Sequence, residues 1–442
     1  MPVQGDMMGH KVESEREYRL LQEQLDRNLT GAPESPTFMK ILKLLFTADE
    51  AELASRIPSQ PTPLDILSHK LGIPLDQLSG KMTEMAHRGL VIDMEHNGQR
   101  YIALPPVVIG FFEFTFMRTR NDLPMAELAH LFEEYMTEND LFVRSVFQGQ
   151  TQLGRSLVRE EALPEGDHTE ILDWERASQI VQSSSAAGLS RCACRHKASL
   201  LGNACDRSQL TCLTLNYAAE AMIRTGLSQS ITIAEAMRIM EECKEAGMAQ
   251  TGDNVQRKVT YICNCCGCCC GMIQAIKTFN IRNAIVTSNW IMEVDRSNCK
   301  GCGKCAEICP VHAIKIAEER VGKKKRRWAV RDESLCLGCG VCYSACEFGG
   351  VTMKSRPKRV FTPETIFDRV TAMAIERGKL ADLIFNKHEK LSHRALARII
   401  GVIEKSPPFK AAMAIEPLKS VFLGAMVERA KKESGELGDL IA

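Results

Sequence analysis

This chain of 442 residues carries almost no excess of either charge: 56 Lys and Arg stand against 55 Asp and Glu, a net +1. No global field therefore recruits nucleic acid or an acidic membrane. Long apolar runs are absent too. The longest, Leu104 to Met117, is broken by Pro105, Pro106 and Glu113 and is too short to cross a bilayer. The first residues are polar and charged, without the apolar core of a signal peptide, so a cytoplasmic location is expected. There is no Gly-x-Gly-x-x-Gly after a strand and no Gly-Lys-Ser loop, which removes the usual phosphate cradles for nucleotide or flavin. No catalytic triad can be named either, for Asp173, Glu175 and His168 read as solvated side chains.

What the chain does have is cysteine, nineteen in all. In a short secreted domain that number would mean disulfides, but this chain is long and 45% hydrophobic, enough to bury a sizeable core over three or four domains. So many thiols need to be liganded or kept reduced, which points to an anaerobic host. Eight of them repeat the spacing Cys-x2-Cys-x2-Cys-x3-Cys twice: Cys299, Cys302, Cys305 and Cys309, followed by Pro310, then Cys336, Cys339, Cys342 and Cys346. Packing does not ask for sulfur at that rhythm, whereas an iron-sulfur cube needs thiolates aimed at one point. Two zinc sites are the alternative, less suited to a triple-plus-one spacing than to paired knuckles.

From Val294 to Met353 the sequence resembles the bacterial-type ferredoxin with two 4Fe-4S clusters. In that family each run supplies three ligands to its own cluster and its fourth Cys to the other. The resemblance implies one cluster held by Cys299, Cys302, Cys305 and Cys346, and a second held by Cys336, Cys339, Cys342 and Cys309. Gly301, Gly303, Gly338 and Gly340 sit between ligands, where the backbone must wrap closely. Two departures stand out. Glu347 follows Cys346 in place of Pro, and is expected to lower the potential of its cluster; the stretch between the runs is also longer than in a minimal ferredoxin.

Ten further thiols form two tight groups: Cys192, Cys194, Cys205 and Cys212, then Cys263, Cys265, Cys266, Cys268, Cys269 and Cys270. They are candidate ligands of one or two further iron-sulfur clusters, with a zinc site and a redox disulfide relay as alternatives. Cys192 and Cys194, one residue apart, would point the same way from an extended segment. Arg195 either bonds to cluster sulfur or makes a surface ion pair. Cys243 falls on the apolar stripe of Ile233 to Met248 and reads as core. Cys-x-Cys-Arg, then Cys-Asn-Cys-Cys, then a dicluster ferredoxin is similar to an arrangement in a group of iron-sulfur proteins of anaerobes, a likeness that implies cluster binding more firmly than a reaction.

The N-terminal part differs in kind. A charged helix is expected near Glu13 to Leu29, then helical spacing over Phe38 to Phe46, a helix opened by Thr62 as cap with Pro63 at its first position, and another from Leu75 to Arg88. Leu90 to Met94 and Arg100 to Leu104 read as strands joined at His96-Asn97-Gly98. This order resembles the winged helix-turn-helix fold. DNA binding is disfavoured, because Lys81, His87, Arg88 and Arg100 are matched by Asp76, Glu84, Asp93 and Glu95. A winged helix serving as a protein-docking or dimerisation module, its wing packed on the cluster domain, is the stronger reading.

The expected fold class is α+β and multidomain. Its parts are an N-terminal helix and linker (1–36), a winged-helix-like domain (37–117), a helical bridge (118–190) with a turn at Pro164-Glu165-Gly166 and a helical face of Leu128, Leu131, Phe132 and Tyr135, a mainly helical Cys-rich domain (191–290), a ferredoxin-like domain (291–356) and a helical C-terminal region (357–442). Helices are expected there near Thr362-Pro363-Glu364, over Ser392 to Lys405 and over Phe409 to Lys432. The basic insert Gly322 to Arg327 reads either as a hairpin tip steering an acidic partner or as a solvated turn; no aromatic platform accompanies it to suggest RNA. Together these features predict a multi-cluster electron-transfer protein with protein redox partners, as a homo-oligomer or a subunit of a larger complex. The alternatives are a redox-sensing winged-helix regulator and an iron-sulfur oxidoreductase with an open cluster site.

Overall fold

A computed structural model describes residues 15–163, 172–321 and 324–380. The expected turn at Pro164, His168, the tip Gly322-Lys323 and the helices over 392–405 and 409–432 lie outside the described residues.

The N-terminal elements start where capping chemistry allows. Helix Pro36–Leu45 begins after Ser35, whose hydroxyl accepts from Phe38 N at 3.0 Å, with Pro at the first position. It buries Phe38, Ile41, Leu42 and Leu45. Helix Ala48–Ser55 follows behind a Thr47/Glu50 capping box. Thr62 does not cap a helix as expected. Thr62–Pro63 is a short edge strand, β1, paired with Ile102 and Tyr101, and the next helix, Leu64–Leu71, begins beyond it. Proline is tolerated there because an edge strand needs no donor from it. After helix Leu75–His87 come β2 (Ile92–His96) and β3 (Gln99–Ala103), giving a sheet of order β1-β3-β2. The Asn97-Gly98 turn places both residues at positive φ, 50° and 74°, as a two-residue hairpin requires.

The interrupted run from Leu104 to Met117 is a core pin. Val107, Phe111, Phe112 and Phe116 are buried, and Phe112 meets Phe132 of helix Met125–Thr137 at 5.2 Å. Leu128, Leu131, Phe132 and Tyr135 are all buried on that helix, as their spacing predicts. Tyr135 stacks on Phe38 at 4.7 Å and on Phe142 at 4.4 Å.

The middle of the chain departs from a mainly helical expectation. Strands β4 (Gly154–Ser156), β5 (Ala187–Arg191), β6 (Leu210–Leu215), β7 (Gln229–Ile231), β8 (Ala249–Asp253) and β9 (Tyr261–Cys265) form a six-stranded antiparallel sheet of order β4-β8-β9-β6-β5-β7. Two of these strands come from the stretch expected to be a helical bridge. Sequences such as AQTGD and AGLSR have little β propensity and no polar-apolar alternation, so only tertiary pairing reveals them. Helix Ile233–Glu245 buries Ala236, Ile239, Met240 and Cys243 against Leu213 and Ile262. Cys243 is therefore core, as expected. Helix Ile366–Arg377 is anchored by Arg369, which ion-pairs with the fully buried Asp253. Glu175, expected to be solvated, is buried and bonded to Asn289.

The last described unit is a ferredoxin-like arrangement. Strand β10 (Trp290–Val294) pairs antiparallel with β13 (Val351–Ser355), and β11 (Ile314–Val321) with β12 (Lys324–Arg331). Each Cys triple passes into a short helix, Lys304–Ile308 or Val341–Ser344. No helix among the described residues is long and apolar enough to cross a membrane.

Candidate metal centres

The tandem runs fold so that sulfur from one run meets sulfur from the other. Cys299, Cys302, Cys305 and Cys346 line one cavity, closed by Ile316, Ala329 and Val351. Burial pushes the Cys305 thiol up to about 11, and the neighbouring Cys299, Cys346 and Cys302 push in the same direction. On the other side, burial raises Cys339 to about 12, with Cys309 and Cys336 adding to the effect. Cys342 is raised by burial and then by Cys339, Cys336 and Cys309. Cys299, Cys302, Cys305 and Cys346 are thus neighbours, and Cys309, Cys336, Cys339 and Cys342 form a second neighbouring set.

The backbone between these ligands has the shape a cube demands. Gly301 and Gly338 adopt φ of 62° and 71°; a Cβ at Gly338 would sit 2.1 Å from Trp290 O. Backbone N–H groups are aimed at sulfur: Ala329 N donates to Cys299 Sγ at 3.4 Å, Ala313 N to Cys309 Sγ at 3.3 Å and Gly350 N to Cys346 Sγ at 3.3 Å. Donors of this kind stabilise thiolates and tune cluster potential. An apolar cavity, convergent thiols and N–H donors fit 4Fe-4S clusters.

The two centres have unlike surroundings. Cys302 is exposed and Cys299 and Cys346 half-buried, whereas Cys309, Cys336, Cys339 and Cys342 are all buried. Glu347 does not stand as the free negative charge the sequence suggested. Lys304 Nζ bonds to it at 2.5 Å, which offsets its field at the first centre. Beside the second centre lies Arg159, a residue that no sequence signal singled out. It is buried, donates backbone N–H to Cys339 O at 3.1 Å, and its guanidinium bonds to Lys244 O at 2.7 Å. A Cβ on Gly340 would meet Arg159 Cβ at 3.0 Å, so this cation is packed directly on the Cys339 loop.

The ten thiols of the middle tract divide. Cys205, Cys266, Cys268 and Cys269 have sulfurs within 4.8 Å of one another. The other six form a chain of neighbouring side chains, Cys212 to Cys263, Cys263 to Cys265, Cys265 to Cys270, Cys270 to Cys194 and Cys194 to Cys192. Their positions come from adjacent β6 and β9 and from two helix starts. Cys192 precedes helix Ala193–Leu200, so it and Cys194 do not share an extended segment as expected; Cys270 precedes helix Gly271–Phe279. The first-turn amides of these helices favour thiolate charge, and Gly271 N donates to Cys194 Sγ at 3.5 Å.

Arg195 lies between the two sets and is not a surface ion pair. It is fully buried, donates to Asn264 O at 3.0 Å and bonds to Thr211. A hydrogen bond from Cys269, followed by Arg195, holds the Cys266 thiol well below the ordinary thiol range. The tract also touches the ferredoxin unit: a Cβ at Gly267 would lie 2.8 Å from Pro310 O and 2.9 Å from Pro310 Cα, directly after Cys309.

The class follows from this geometry: the chain contains a ferredoxin domain of the two-cluster kind, set in a larger iron-sulfur protein. Residues 298–350 match the family described as 4Fe-4S dicluster domain. A segment of 28 residues is 61% identical to pyruvate synthase subunit PorD of Methanothermobacter marburgensis, covering 6% of this chain and 35% of that protein. The chain therefore spans about a third of the length of the curated relative it matches. No solved structure matches it.

Proposed function

We propose that this protein carries single electrons through a series of iron-sulfur clusters as a component of a larger redox assembly. The observation that carries the reading is the regrouping of the eight tandem-run thiols into two quartets, each drawn from both runs. In this reading Cys299, Cys302, Cys305 and Cys346 hold the outer cluster, and Cys336, Cys339, Cys342 and Cys309 the inner one. Bound clusters would supply reversible one-electron chemistry; the chain's residues hold, insulate and bias them. The exposure of Cys302 supports the outer site as the terminal where electrons enter or leave, and the contact of Gly267 with Pro310 supports passage between the inner site and the Cys-rich tract. The likeness to a pyruvate synthase subunit supports membership of a multi-subunit redox complex.

The N-terminal domain, read as a winged helix, serves as a docking module rather than a DNA reader. Three of its four candidate cations are already engaged: Arg88 with Glu50, Arg100 with Asp93 at 2.6 Å, and His87 Nδ1 with Thr225 O at 3.0 Å. The wing itself is tied to helix Asn216–Arg224 through Arg224, which bonds to Asp93 at 2.8 Å and Glu95 at 3.0 Å. Few uncompensated cations remain for phosphate.

A reductive titration of the anaerobically prepared protein tests the proposal, followed by rapid mixing with a one-electron acceptor. The expected result is one-electron transfer that slows in a Cys302→Ser variant and, because Arg327 packs against Gly301 at the outer site, weakens with salt for an acidic protein acceptor. A protein with no redox-active visible absorption would overturn it.

A further inference from the structure

The four thiols Cys205, Cys266, Cys268 and Cys269 are spaced for a different task from the eight in the tandem runs. A single ion in a tetrahedron of thiolates has metal-sulfur bonds of about 2.3 Å, which sets sulfur-sulfur edges near 3.8 Å. Here Cys269 Sγ lies 3.6 Å from Cys268 Sγ and 3.9 Å from Cys205 Sγ, with all four sulfurs inside 4.8 Å. A cube instead spreads its ligands outward over separate irons, so its cysteine sulfurs stand roughly 6 Å apart. Among the described residues, the tandem-run thiols do not close to within 4.8 Å as this group does. One chain therefore contains two sulfur spacings.

From this geometry we infer that Cys205, Cys266, Cys268 and Cys269 bind one thiophilic divalent ion, zinc, in a mononuclear tetrathiolate site. The local chain is built for it. Cys266 to Cys269 form a tight turn around Gly267, and Cys205 approaches from the loop between helix Ala193–Leu200 and β6. Side chains of helix Gly271–Phe279 pin that turn: Gln274 Nε2 donates to Gly267 O at 3.1 Å and to Cys268 O at 2.7 Å, and Lys277 Nζ to Gly267 O at 2.8 Å. Four thiolates around a divalent ion leave about two net negative charges. Lys277 and the buried Arg195 are the cations placed to offset them. Because the same turn abuts Pro310, the ion would fix the face on which the ferredoxin unit rests. It would also leave six thiols in the tract, enough for one further cube and not two. Ferrous iron shares this coordination chemistry, and the test separates the two ions.

Zinc, iron and acid-labile sulfide are measured on the full chain prepared anaerobically, for the wild type and for Cys205→Ser and Cys268→Ser variants. The result expected is one zinc per chain, lost in both variants, with iron and sulfide unchanged. Loss of a single iron with no sulfide also supports a mononuclear site and assigns it to iron. Loss of about four irons and four sulfides in either variant overturns the inference. Should the variants not fold, zinc-edge X-ray absorption of the wild type decides: four sulfurs at about 2.3 Å support the site, and absence of bound zinc and of any sulfide-free iron overturns it. Neither outcome bears on the eight irons expected in the tandem runs, so failure here is distinguishable from failure of the electron-transfer reading.

Discussion

Replacing Gly267 by Ala probes the seam between the Cys-rich tract and the ferredoxin domain. The added Cβ would face Pro310 O at 2.8 Å and Pro310 Cα at 2.9 Å. Ordinary carbon contacts begin near 3.4 Å, so one of two backbones has to move by about half an ångström. Neither moves freely, since Gly267 O is held by Gln274 and Lys277, and Pro310 follows Cys309. Overpacking of this kind costs about 1–3 kcal/mol, which in a protein of this size lowers Tm by roughly 1–3 °C. Loss of the inner cluster should accompany or precede unfolding, because the displaced segment includes its expected ligand. The assay is an anaerobic melt followed in parallel by circular dichroism and by visible cluster absorbance. Gly80→Ala is the control: no atom lies within 4 Å of its Cβ, its φ is not in the left-handed region, and it sits inside helix Leu75–His87. That change should be neutral or stabilising by about 0.5–1 kcal/mol. If Gly267→Ala melts with the wild type and retains both signals, the seam described above is wrong.

Three further perturbations are specific to single interactions. Lys304→Ala unpairs Glu347 beside the outer site; both side chains are largely exposed and the pair is screened by solvent, so the outer potential should fall in square-wave voltammetry by well under the roughly 59 mV that a tenfold change represents. Arg159→Met removes a buried cation from the Cys339 loop and strips donors from Lys244 O and Met248 O, so the inner potential should fall while the outer stays, with a stability loss of about 1–3 kcal/mol in denaturant titration. Burial raises the Glu113 carboxyl to about 8 from an ordinary 4.5, against the opposing backbone N–H groups of Gly110 and of Glu113 itself. A carboxyl whose folded value is raised binds its proton more tightly when folded, so stability is highest below about pH 4.5 on this account and declines as pH rises toward 8. Glu113→Gln should flatten that decline in melts across this range; an unchanged slope would show that Glu113 is not its source.

The parts legible in the sequence are those where chemistry dictates residue identity. Cysteine at a fixed triple-plus-one spacing has no packing explanation, and Asn97-Gly98 between two apolar runs has one turn to make. The helical face of Leu128, Leu131, Phe132 and Tyr135 was equally plain, because the pattern repeats at the helix period. The six-stranded sheet was not, since β5 and β8 are short, small-residue strands held by their neighbours. Nor could ten crowded thiols be sorted by order alone. Cys266 and Cys265 are adjacent in sequence and serve different groups, because alternate residues at the end of β9 point to opposite sides. Arg159 and Lys304 act across long sequence separations, so nothing local announces them. Glu175 looked solvated for the same reason, its partner Asn289 lying more than a hundred residues away.

Iron and acid-labile sulfide counted anaerobically in the wild type and in a Cys305→Ser/Cys339→Ser variant test the central claim most directly. Two cubes in the tandem runs predict that the double variant loses about eight irons and eight sulfides. Zinc released from those positions with no sulfide, or an unchanged iron count, would contradict it.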